Sequence, residues 1–411
     1  MDIGFIGLGK LGLDCAEVFA QHYTVRGYDI YSRISDSVNI CDVSDVIENS
    51  DWIFIAVPTP HADGYDGGTP SSHLEPRDFG HDAVKEAIGY INTHATSSKR
   101  VVLISTVLPG TTRKRFVSFL DAKHKFLYNP YLIAMGSVKW DMVNPEMIMI
   151  GTEDGNATDL AQELVDLYRP LMQNNPRYEI GTWEECEAIK IFYNTFISAK
   201  VGLANMIQDF AQRIGNINVD VVTNALARST QRIMGPKYMT AGMGDAGACH
   251  PRDNIALRWL AQEYDLGYDM FDTIMRAREI QARNLANFLC DIAVKHRMPI
   301  VLHGKAYKPD VPYCIGSYST LVAHYIKQRG FSVQYLDPLA DDRQDCVDSI
   351  DRPHVILMAH NRQITYGYTG TQAEDRAYCE FPTGSVLVDP WRQQQNVPGI
   401  TVIHYGNTRK S

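Results

Sequence analysis

The sequence predicts an α/β protein in which two parallel-sheet domains are joined by a long central helix and a helical region. Apolar strand patterns alternate with amphipathic helical patterns over residues 1–180, strands are lost over 181–292, and the alternation returns over 293–411. Such alternation is typical of βαβ units, whose strands pair in parallel. We therefore expect an N-terminal α/β domain, a helical middle domain and a C-terminal α/β domain with these boundaries.

Length and composition indicate an ordinary globular protein. The 411 residues correspond to two or three domains at about 150 residues each, and the 45% hydrophobic and 21% charged residues are unexceptional. The net charge of −9 disfavours a broad nucleic-acid-binding surface. No apolar run approaches the ~20 residues of a membrane helix, and the N-terminus does not resemble a signal peptide. The eight cysteines show no CxxC spacing, so we expect reduced thiols, no metal site and a cytoplasmic location.

The predicted elements are short apolar strands and longer amphipathic helices. The first domain has strands at 3–6, 24–28, 52–57, 101–105, 125–128 and 147–150, with helices at 13–21, 81–93 and 157–171. The middle domain has helices at 184–209, 220–227, 254–264 and 269–289. The last domain has strands at 300–303, 333–336, 355–358 and 386–388, with a helix at 317–328.

A glycine-rich segment, GLGKLG at residues 7–12, lies between the first predicted strand and helix. In that context the GxGxxG pattern indicates a dinucleotide site. Gly7 permits the tight turn, Gly9 lets the backbone approach a pyrophosphate, and Gly12 lets helix and strand pack closely. Leu11 belongs to the same loop and is assigned to the cofactor with them. The helix N-terminus would then face the pyrophosphate.

Asp29 ends the second predicted strand, 22 residues after Gly7. A carboxylate at this place binds the ribose 2′-hydroxyl and repels a 2′-phosphate, which favours NAD over NADP. Arg33 is close enough in sequence to weaken that preference, and it is included among the cofactor residues. Ligands gather at the carboxyl ends of parallel strands, although a turn that merely ends a strand is the alternative. Further cofactor candidates at two such ends are Val57, Pro58, Thr59, Ser105 and Thr106.

A second informative stretch, GMGDAGACHPRD at residues 242–253, places a cysteine in a polar glycine-rich loop before a predicted helix. A thiol at a helix N-terminus has a lowered pKa and is a better nucleophile. Cys249 is therefore a candidate nucleophile, and Asp253 can hold a water or cap the turn. The alternative of a buried core thiol suits the other seven cysteines better.

Lys190 and Asn194 share one face of the long predicted helix because they are four residues apart. Beside a nucleophile, such a pair can stabilise an oxyanion. The alternative is a solvated stripe on the helix surface.

The ordered set of motifs resembles the UDP-glucose/GDP-mannose 6-dehydrogenase family. The matching segments, in order and at compatible spacing, are the 7–12 loop, FIAVPTP at 54–60, STVLPGTT at 105–112, EAIK at 187–190, RI at 232–233, the cysteine loop, GKAYKP at 304–309 and DP at 337–338. The resemblance implies two Rossmann-like domains joined by a helical spine, with NAD as cofactor.

The reaction that the resemblance implies converts a sugar CH2OH to a carboxylate with two NAD. Cys249 would hold the aldehyde as a thiohemiacetal and then carry a thioester, which water hydrolyses. Lys190 and Asn194 would stabilise the oxyanion, while Thr106 and Asp253 would place the water. The residues assigned to the nucleotide sugar, most readily a UDP-sugar, are Lys190 and Asn194 again with Tyr131, Leu132, Arg232, Tyr238, Gly244 and Lys308.

The resemblance also implies a homodimer, in which Arg232 would reach the nucleotide sugar of the partner subunit. The sequence agrees, because the long helix carries more apolar side chains than one subunit obviously covers. These side chains are Ile191, Phe192, Phe196, Val201 and Leu203.

Four residues depart from the family pattern. The block NPYLIAMG at residues 129–136 has Tyr131 and Met135 where the family has glutamates, the first of them implicated in base catalysis of thioester hydrolysis. Ile315 stands in place of an arginine associated with the cofactor, and His250 replaces an apolar residue. The hydrolysis step and the identity of the sugar are therefore left open.

Two alternatives remain from the sequence. The chain could bind a nucleotide sugar or NAD without turnover, which Tyr131 and Met135 favour. It could also be a two-electron dehydrogenase of the 6-phosphogluconate or hydroxyisobutyrate type, against which the second α/β domain and the cysteine loop argue.

Overall fold

The computed structural model describes residues 1–60, 62, 74–75, 78–133, 137–235, 241–243, 249–363, 381–395 and 398–407, without the side chains of 198, 201, 202, 205, 212, 213, 249, 250, 252, 253, 256 and 260. The chain divides into two compact units, Met1–Lys200 and Val201–Ser411. The three-part division expected from the sequence stays a prediction.

The first unit is built on an eight-stranded sheet. Its strands are β1 Asp2–Ile6, β2 Thr24–Tyr28, β3 Asn39–Ile40, β4 Trp52–Ile55, β5 Arg100–Leu103, β6 Lys125–Tyr128, β7 Met147–Thr152 and β8 Arg177–Thr182. They lie in the order β3-β2-β1-β4-β5-β6-β7-β8, and all neighbours are parallel except β6 and β7. The order reverses between β1 and β4, which creates a crevice at the carboxyl ends of these strands.

Helices cover both faces of this sheet. They are α1 Gly12–Phe19, α2 Val43–Glu48, α3 Asp82–His94, α4 Val138–Val143 and α5 Asp159–Tyr168, with a π-helical turn at Thr112–Val117 and a 3-10 turn at Arg169–Leu171. Alternate residues of β4 point to opposite faces, with Trp52 and Phe54 in one apolar cluster and Ile53 and Ile55 in the other. Because both faces are buried, the strand is apolar throughout.

The second unit combines helices with a five-stranded parallel sheet. Helix α6, Trp183–Ile214, runs from the first unit into the second, and the further helices are α7 Val219–Ala227, α8 Cys249–Glu263, α9 Met270–His296 and α10 Tyr318–Gln328. The strands are β9 Ile300–His303, β10 Val333–Leu336, β11 Val355–Met358, β12 Val386–Asp389 and β13 Thr401–His404, in the order β10-β9-β11-β12-β13.

The predicted α/β fold class with two parallel sheets is confirmed. One helix predicted at 254–264 begins earlier, at Cys249, because the polar residues after the cysteine form its first turn. Across the described ranges, no helix has both the length and the apolar character required to cross a bilayer. The cytoplasmic location stays a prediction.

Candidate functional site

A cavity of about 530 Å³ opens in the first unit at the carboxyl edge of the sheet. It is lined by the glycine loop after β1, the loops after β2, β4, β5 and β6, and side chains of α3 and α6. The sequence-predicted residues among its lining are Gly7, Gly9, Leu11, Asp29, Arg33, Val57, Pro58, Thr59, Ser105, Thr106, Tyr131 and Lys190. The structure therefore brings together residues spread over more than 180 positions of the chain.

The glycine loop has the shape that its sequence requires. Gly7 has a φ of +96°, and a Cβ there would lie 2.7 Å from the carbonyl oxygen of Ala56. A Cβ on Gly12, the first residue of α1, would overlap the carbonyl oxygen of Gly7. A Cβ on Gly9 would meet no atom within 4 Å, so this side of the loop is open. The loop thus leaves space for a phosphate at the N-terminus of α1.

Asp29 is held rigidly at the end of β2. Its Oδ2 accepts a hydrogen bond from the backbone N–H of Leu8 at 2.7 Å, and its Oδ1 accepts one from that of Tyr31 at 2.8 Å. Nη2 of Arg33 lies 3.4 Å from Oδ1, and its guanidinium carbon lies 5.7 Å from the centre of the Tyr31 ring. The carboxylate faces the cavity with a cation beside it, as a ribose-binding residue would.

The loops after β4 and β5 are tied to each other by two hydroxyl groups. The Ser105 hydroxyl donates to the carbonyl of Val57 at 2.6 Å, and the Thr59 hydroxyl donates to the carbonyl of Thr106 at 2.7 Å. The protons of Ser105 and Thr59 therefore hold the loops, and only their oxygen lone pairs are left for a ligand. Thr106 is half-buried and lines the cavity.

Lys190 reaches the cavity from α6. Its Nζ donates to the carbonyl of Tyr131 at 2.7 Å, and burial lowers the pKa of its ammonium group. Asn194 follows one turn later on the exposed surface of the helix and is not among the cavity-lining residues. Of the predicted pair, the structure brings only Lys190 to the cavity.

Glu187 lies one turn before Lys190 and received no role from the sequence. Its carboxylate is fully buried and accepts the backbone N–H groups of Gly110 and Thr112, the second at 2.7 Å. Burial raises the pKa of this carboxyl group. Glu187 thus ties α6 to the loop after β5, which carries Thr106. Glu187 belongs to the EAIK motif, which the sequence analysis did single out. Its hydrogen bond to Thr112, 75 residues away, did not follow from the sequence.

The hydroxyl of Tyr131 is bound to a second tyrosine that does not line the cavity. The Tyr131 hydroxyl lies 2.6 Å from that of Tyr168, and the Tyr168 hydroxyl in turn donates to Oδ1 of Asn129. Burial raises the pKa of Tyr131 well above its usual value. Tyr131 lines the cavity, but its hydroxyl is engaged with Tyr168 and its carbonyl with Lys190. Leu132 lines a separate small pocket.

The remaining predicted residues are only partly covered by the structure. Cys249 is the first residue of α8, so its backbone lies at a helix N-terminus as expected. Arg232 is exposed in the turn after α7, and Lys308 is exposed in the loop after β9 with its Nζ 5.3 Å from the centre of the Tyr307 ring. The side chains of Cys249 and Asp253, and all of Tyr238, Gly244 and Met135, lie outside the described residues.

Comparison with protein-family models identifies one family. Two models of the UDP-glucose/GDP-mannose dehydrogenase family match, its NAD binding domain over residues 35–172 and its central domain over residues 184–279. Together they cover more than half of the chain.

Curated relatives carry related names. UDP-glucose 6-dehydrogenase TuaD of Bacillus subtilis is 28% identical over 308 residues, 73% of this chain and 62% of that protein. The match therefore spans less than two thirds of TuaD. GDP-mannose 6-dehydrogenase of Pseudomonas putida is 26% identical over 344 residues, 75% of this chain and 74% of that protein.

A solved structure has the same fold. It is a ternary complex of GDP-mannose dehydrogenase from Pseudomonas aeruginosa, with a TM-score of 0.78 at 19% identity over 98% of this chain and 99% of that one.

Proposed function

Because the chain belongs to the UDP-glucose/GDP-mannose dehydrogenase family, we propose that it oxidises the C6 hydroxymethyl group of a nucleotide sugar to a carboxylate with NAD. One observation carries the proposal: the glycine loop and Asp29 line the same cavity as Lys190 and Thr106. Its volume of about 530 Å³ is in the range of small-molecule and cofactor sites.

The residues present fit NAD. The open side of Gly9 faces the place for the pyrophosphate, and Asp29 faces the place for the adenosine ribose. When bound, NAD supplies the hydride acceptor. The protein's own part is to orient the sugar, stabilise negative charge on its oxygen and remove the proton.

The proposed route has two oxidations on one carbon. Loss of a hydride and a proton from CH2OH gives an aldehyde, to which the Cys249 thiol adds as a thiohemiacetal. Loss of a second hydride and proton gives a thioester on Cys249. Attack by water, placed by Thr106 and Asp253, releases the carboxylic acid and restores the thiol. One hydroxymethyl group thus gives one carboxylate and two NADH.

Lys190 is the described residue best suited to stabilise the oxyanion. The Tyr131 carbonyl compensates only part of the cost of burying its ammonium group, because a carbonyl carries a partial charge. Negative charge that develops on the sugar oxygen would therefore be strongly attracted to it. A contribution from Asn194, which does not line the cavity, stays a prediction of the sequence.

The orientation of Tyr131 favours a slow final step. Thioester hydrolysis needs a group that accepts a proton from water. The Tyr131 hydroxyl is engaged with Tyr168, and the raised pKa of Tyr131 makes its phenolate inaccessible near neutral pH. We therefore assign the base to Asp253, with His250 as the alternative. Loss of one positioned base costs about 10²–10⁴-fold in the step that it serves.

The test counts NADH per sugar with UDP-, GDP- and dTDP-sugars, after thermal shift has selected those that bind. A ligand that binds the native state raises its melting temperature. Two NADH per sugar support the proposal, one indicates a two-electron dehydrogenase, and none with a bound ligand indicates a binding protein. Slow hydrolysis would appear as an initial burst of NADH and as an adduct on Cys249 in the intact mass.

We also propose a homodimer formed through the helical region. Several large apolar side chains of α6 are exposed in the single chain, among them Phe192 by 55%, Phe196 by 52% and Leu203 by 40%. Exposed apolar side chains that recur along one helix are typical of an interface. Light scattering at micromolar concentration tests this, with a dimer expected for the wild type and a monomer for Phe196→Arg. A monomeric wild type contradicts it.

A further inference from the structure

Tyr168, the last residue of α5, is buried and does not itself line the cavity. The residue is 1% exposed, and its ring packs against Phe19 and Tyr131 with centroid distances of 5.6 and 6.4 Å. No role follows for it from the sequence motifs. Its hydroxyl nevertheless connects two residues, Asn129 and Tyr131, that flank a proline directly after β6.

The direction of these hydrogen bonds is fixed by chemistry. Asn129 donates through Nδ2 to the carbonyl of Met149 at 2.6 Å, so its Oδ1 is left to accept. Tyr168 has one proton and gives it to that Oδ1. Tyr131 must therefore be the donor to Tyr168. The resulting chain runs one way, from Tyr131 through Tyr168 and Asn129 to β7.

The chain of hydrogen bonds begins at Tyr131, the residue that also holds Lys190. The Tyr131 hydroxyl is anchored in the core, while the Tyr131 carbonyl accepts from Lys190 Nζ at 2.7 Å on the cavity side. A rotation of the Tyr131 backbone would therefore break the bond to Tyr168, the bond to Lys190 or both. A buried polar network of this kind rigidifies what it touches when each member is satisfied.

We propose that Tyr168 is a positioning residue, whose hydroxyl fixes Tyr131 so that the Tyr131 carbonyl holds Lys190 Nζ at the cavity. The proposal deepens the proposed function and rests on it for the catalytic meaning of Lys190. The hydrogen-bond chain itself is independent of substrate and cofactor.

Removal of the Tyr168 hydroxyl should release Lys190. In Tyr168→Phe, Asn129 and Tyr131 each lose a buried partner, so the 129–131 segment gains freedom. Nζ can then turn towards water, and the pKa of Lys190 rises towards the ordinary lysine value of about 10.4. In Tyr131→Phe the bond between Tyr168 and Asn129 survives, which makes it a second, milder variant.

The experiment measures the pH midpoint of Lys190 acylation by acetic anhydride, with the exposed Lys125 as internal reference and no substrate or NAD present. The midpoint should rise in Tyr168→Phe by at least about half a pH unit. Such a shift makes the neutral fraction of Lys190 near pH 8 roughly threefold smaller. Tyr131→Phe should shift it in the same direction. The double variant should shift it no further than Tyr168→Phe alone, because the two hydroxyls act in series.

Tyr23→Phe is the matched control. It removes a tyrosine hydroxyl that donates to the carbonyl of Leu167 at 2.8 Å, next to Tyr168 on α5, but that does not bond to the 129–131 segment. Its Lys190 midpoint should equal that of the wild type, even if its melting temperature falls. An unchanged midpoint in Tyr168→Phe and Tyr131→Phe, or an equal change in Tyr23→Phe, would overturn the proposal.

A kinetic readout separates this inference from the proposed function. If a nucleotide sugar gives NADH, Tyr168→Phe should lower kcat about fivefold or more and change the KM for NAD less than twofold, because the glycine loop is untouched. If no nucleotide sugar gives NADH but the midpoint moves, the proposed function fails and the positioning of Lys190 stands. If NADH forms and the midpoint does not move, the proposed function stands and the positioning role of Tyr168 fails.

Discussion

The βαβ segment that opens each sheet follows one backbone plan in both units, yet only the first encloses the cavity. A glycine with positive φ follows the first strand in each, Gly7 at +96° and Gly304 at +111°. An aspartate ends the second strand in each, and accepts backbone N–H groups of the preceding turn, Asp29 from Leu8 and Asp337 from Lys305 and Ala306. The backbone alone therefore does not determine where a dinucleotide binds.

The difference lies in what fills the turn. In the second unit the His360 ring lies over Gly304, where a Cβ would come within 2.6 Å of it, and the His360 Nε2 is 2.9 Å from the carbonyl of Ala306. Helix α1 begins at Gly12, five residues after Gly7, whereas α10 begins at Tyr318, fourteen residues after Gly304. The first turn is left open at a helix N-terminus, whereas the His360 ring covers the second.

Each unit contains a lysine that is at least partly buried, and the two lysines have different hydrogen-bond partners. This comparison gives the largest predicted effect. Lys305 bonds to Asp342 at 2.7 Å and to the carbonyl of Gln344 at 2.7 Å, whereas Lys190 bonds to a carbonyl at the cavity. Lys190→Ala should lower kcat about 10²–10³-fold with the NAD affinity retained, because it removes an oxyanion-stabilising cation. Steady-state kinetics and NAD titration measure both quantities.

Lys305→Met is the control for that prediction. It removes a buried ammonium group that serves the fold, so the melting temperature should fall while the affinity of the folded protein for NAD stays within twofold of the wild type. An active Lys190→Ala enzyme would show that another cation stabilises the oxyanion.

The sequence predicted central strands better than edge strands. The strands predicted at 24–28, 125–128, 300–303, 333–336 and 355–358 match β2, β6, β9, β10 and β11 residue for residue, and of these only β10 lies at the edge of a sheet. The three strands that it missed, β3, β8 and β13, each lie at an edge of a sheet. A central parallel strand is buried on both faces and is apolar throughout, whereas an edge strand such as β8, RYEIGT, has no such pattern.

The candidate site was predictable where local geometry determines it. The glycine loop, Asp29 and the strand-end residues follow from motifs within 25 residues of one another or from the common edge of parallel strands. The bonds of Tyr131 to Tyr168 and of Glu187 to Thr112 join residues 37 and 75 positions apart. These depend on the packing of α5 and α6, which the sequence pattern does not specify.

The second prediction compares glycines in the two turns. Gly12→Ala would force a Cβ into the carbonyl of Gly7, so the loop must move, at a cost of about 1–3 kcal/mol and with a loss of NAD affinity of at least about tenfold. Gly304→Ala should destabilise the protein to a similar extent, because of its positive φ and the His360 ring, without altering NAD affinity. Calorimetric titration with NAD and thermal unfolding distinguish them, and equal losses of NAD affinity would contradict the comparison.

The third prediction compares the aspartates. Asp29→Ala should reduce the preference for NAD over NADP by about tenfold, the equivalent of one good hydrogen bond, because the carboxylate no longer repels a 2′-phosphate and Arg33 remains. Asp337→Ala should leave the preference unchanged and destabilise the protein by about 1–3 kcal/mol, because two buried N–H groups lose their acceptor. The ratio of kcat/KM values for the two cofactors is the measurement. A wild type that uses both equally well would refute the role of Asp29.

The smallest predicted effect is a gain in stability that depends on pH. Burial lowers the pKa of Lys190, so the unfolded chain binds its proton more tightly than the folded one. Below the folded pKa the full cost of burying the ammonium group opposes folding, and the cost disappears as the pH rises towards the unfolded value of about 10.4.

Lys190→Met keeps the length of the side chain without the charge. It should therefore be more stable than the wild type near pH 7, by about 0.5–1 kcal/mol because the group is only half-buried and partly screened. The gain should shrink as the pH approaches 10. Denaturant unfolding at pH 7, 8.5 and 10 measures the difference, and a gain that is constant with pH would mean that the packing of the methionine, rather than the buried charge of Lys190, accounts for it.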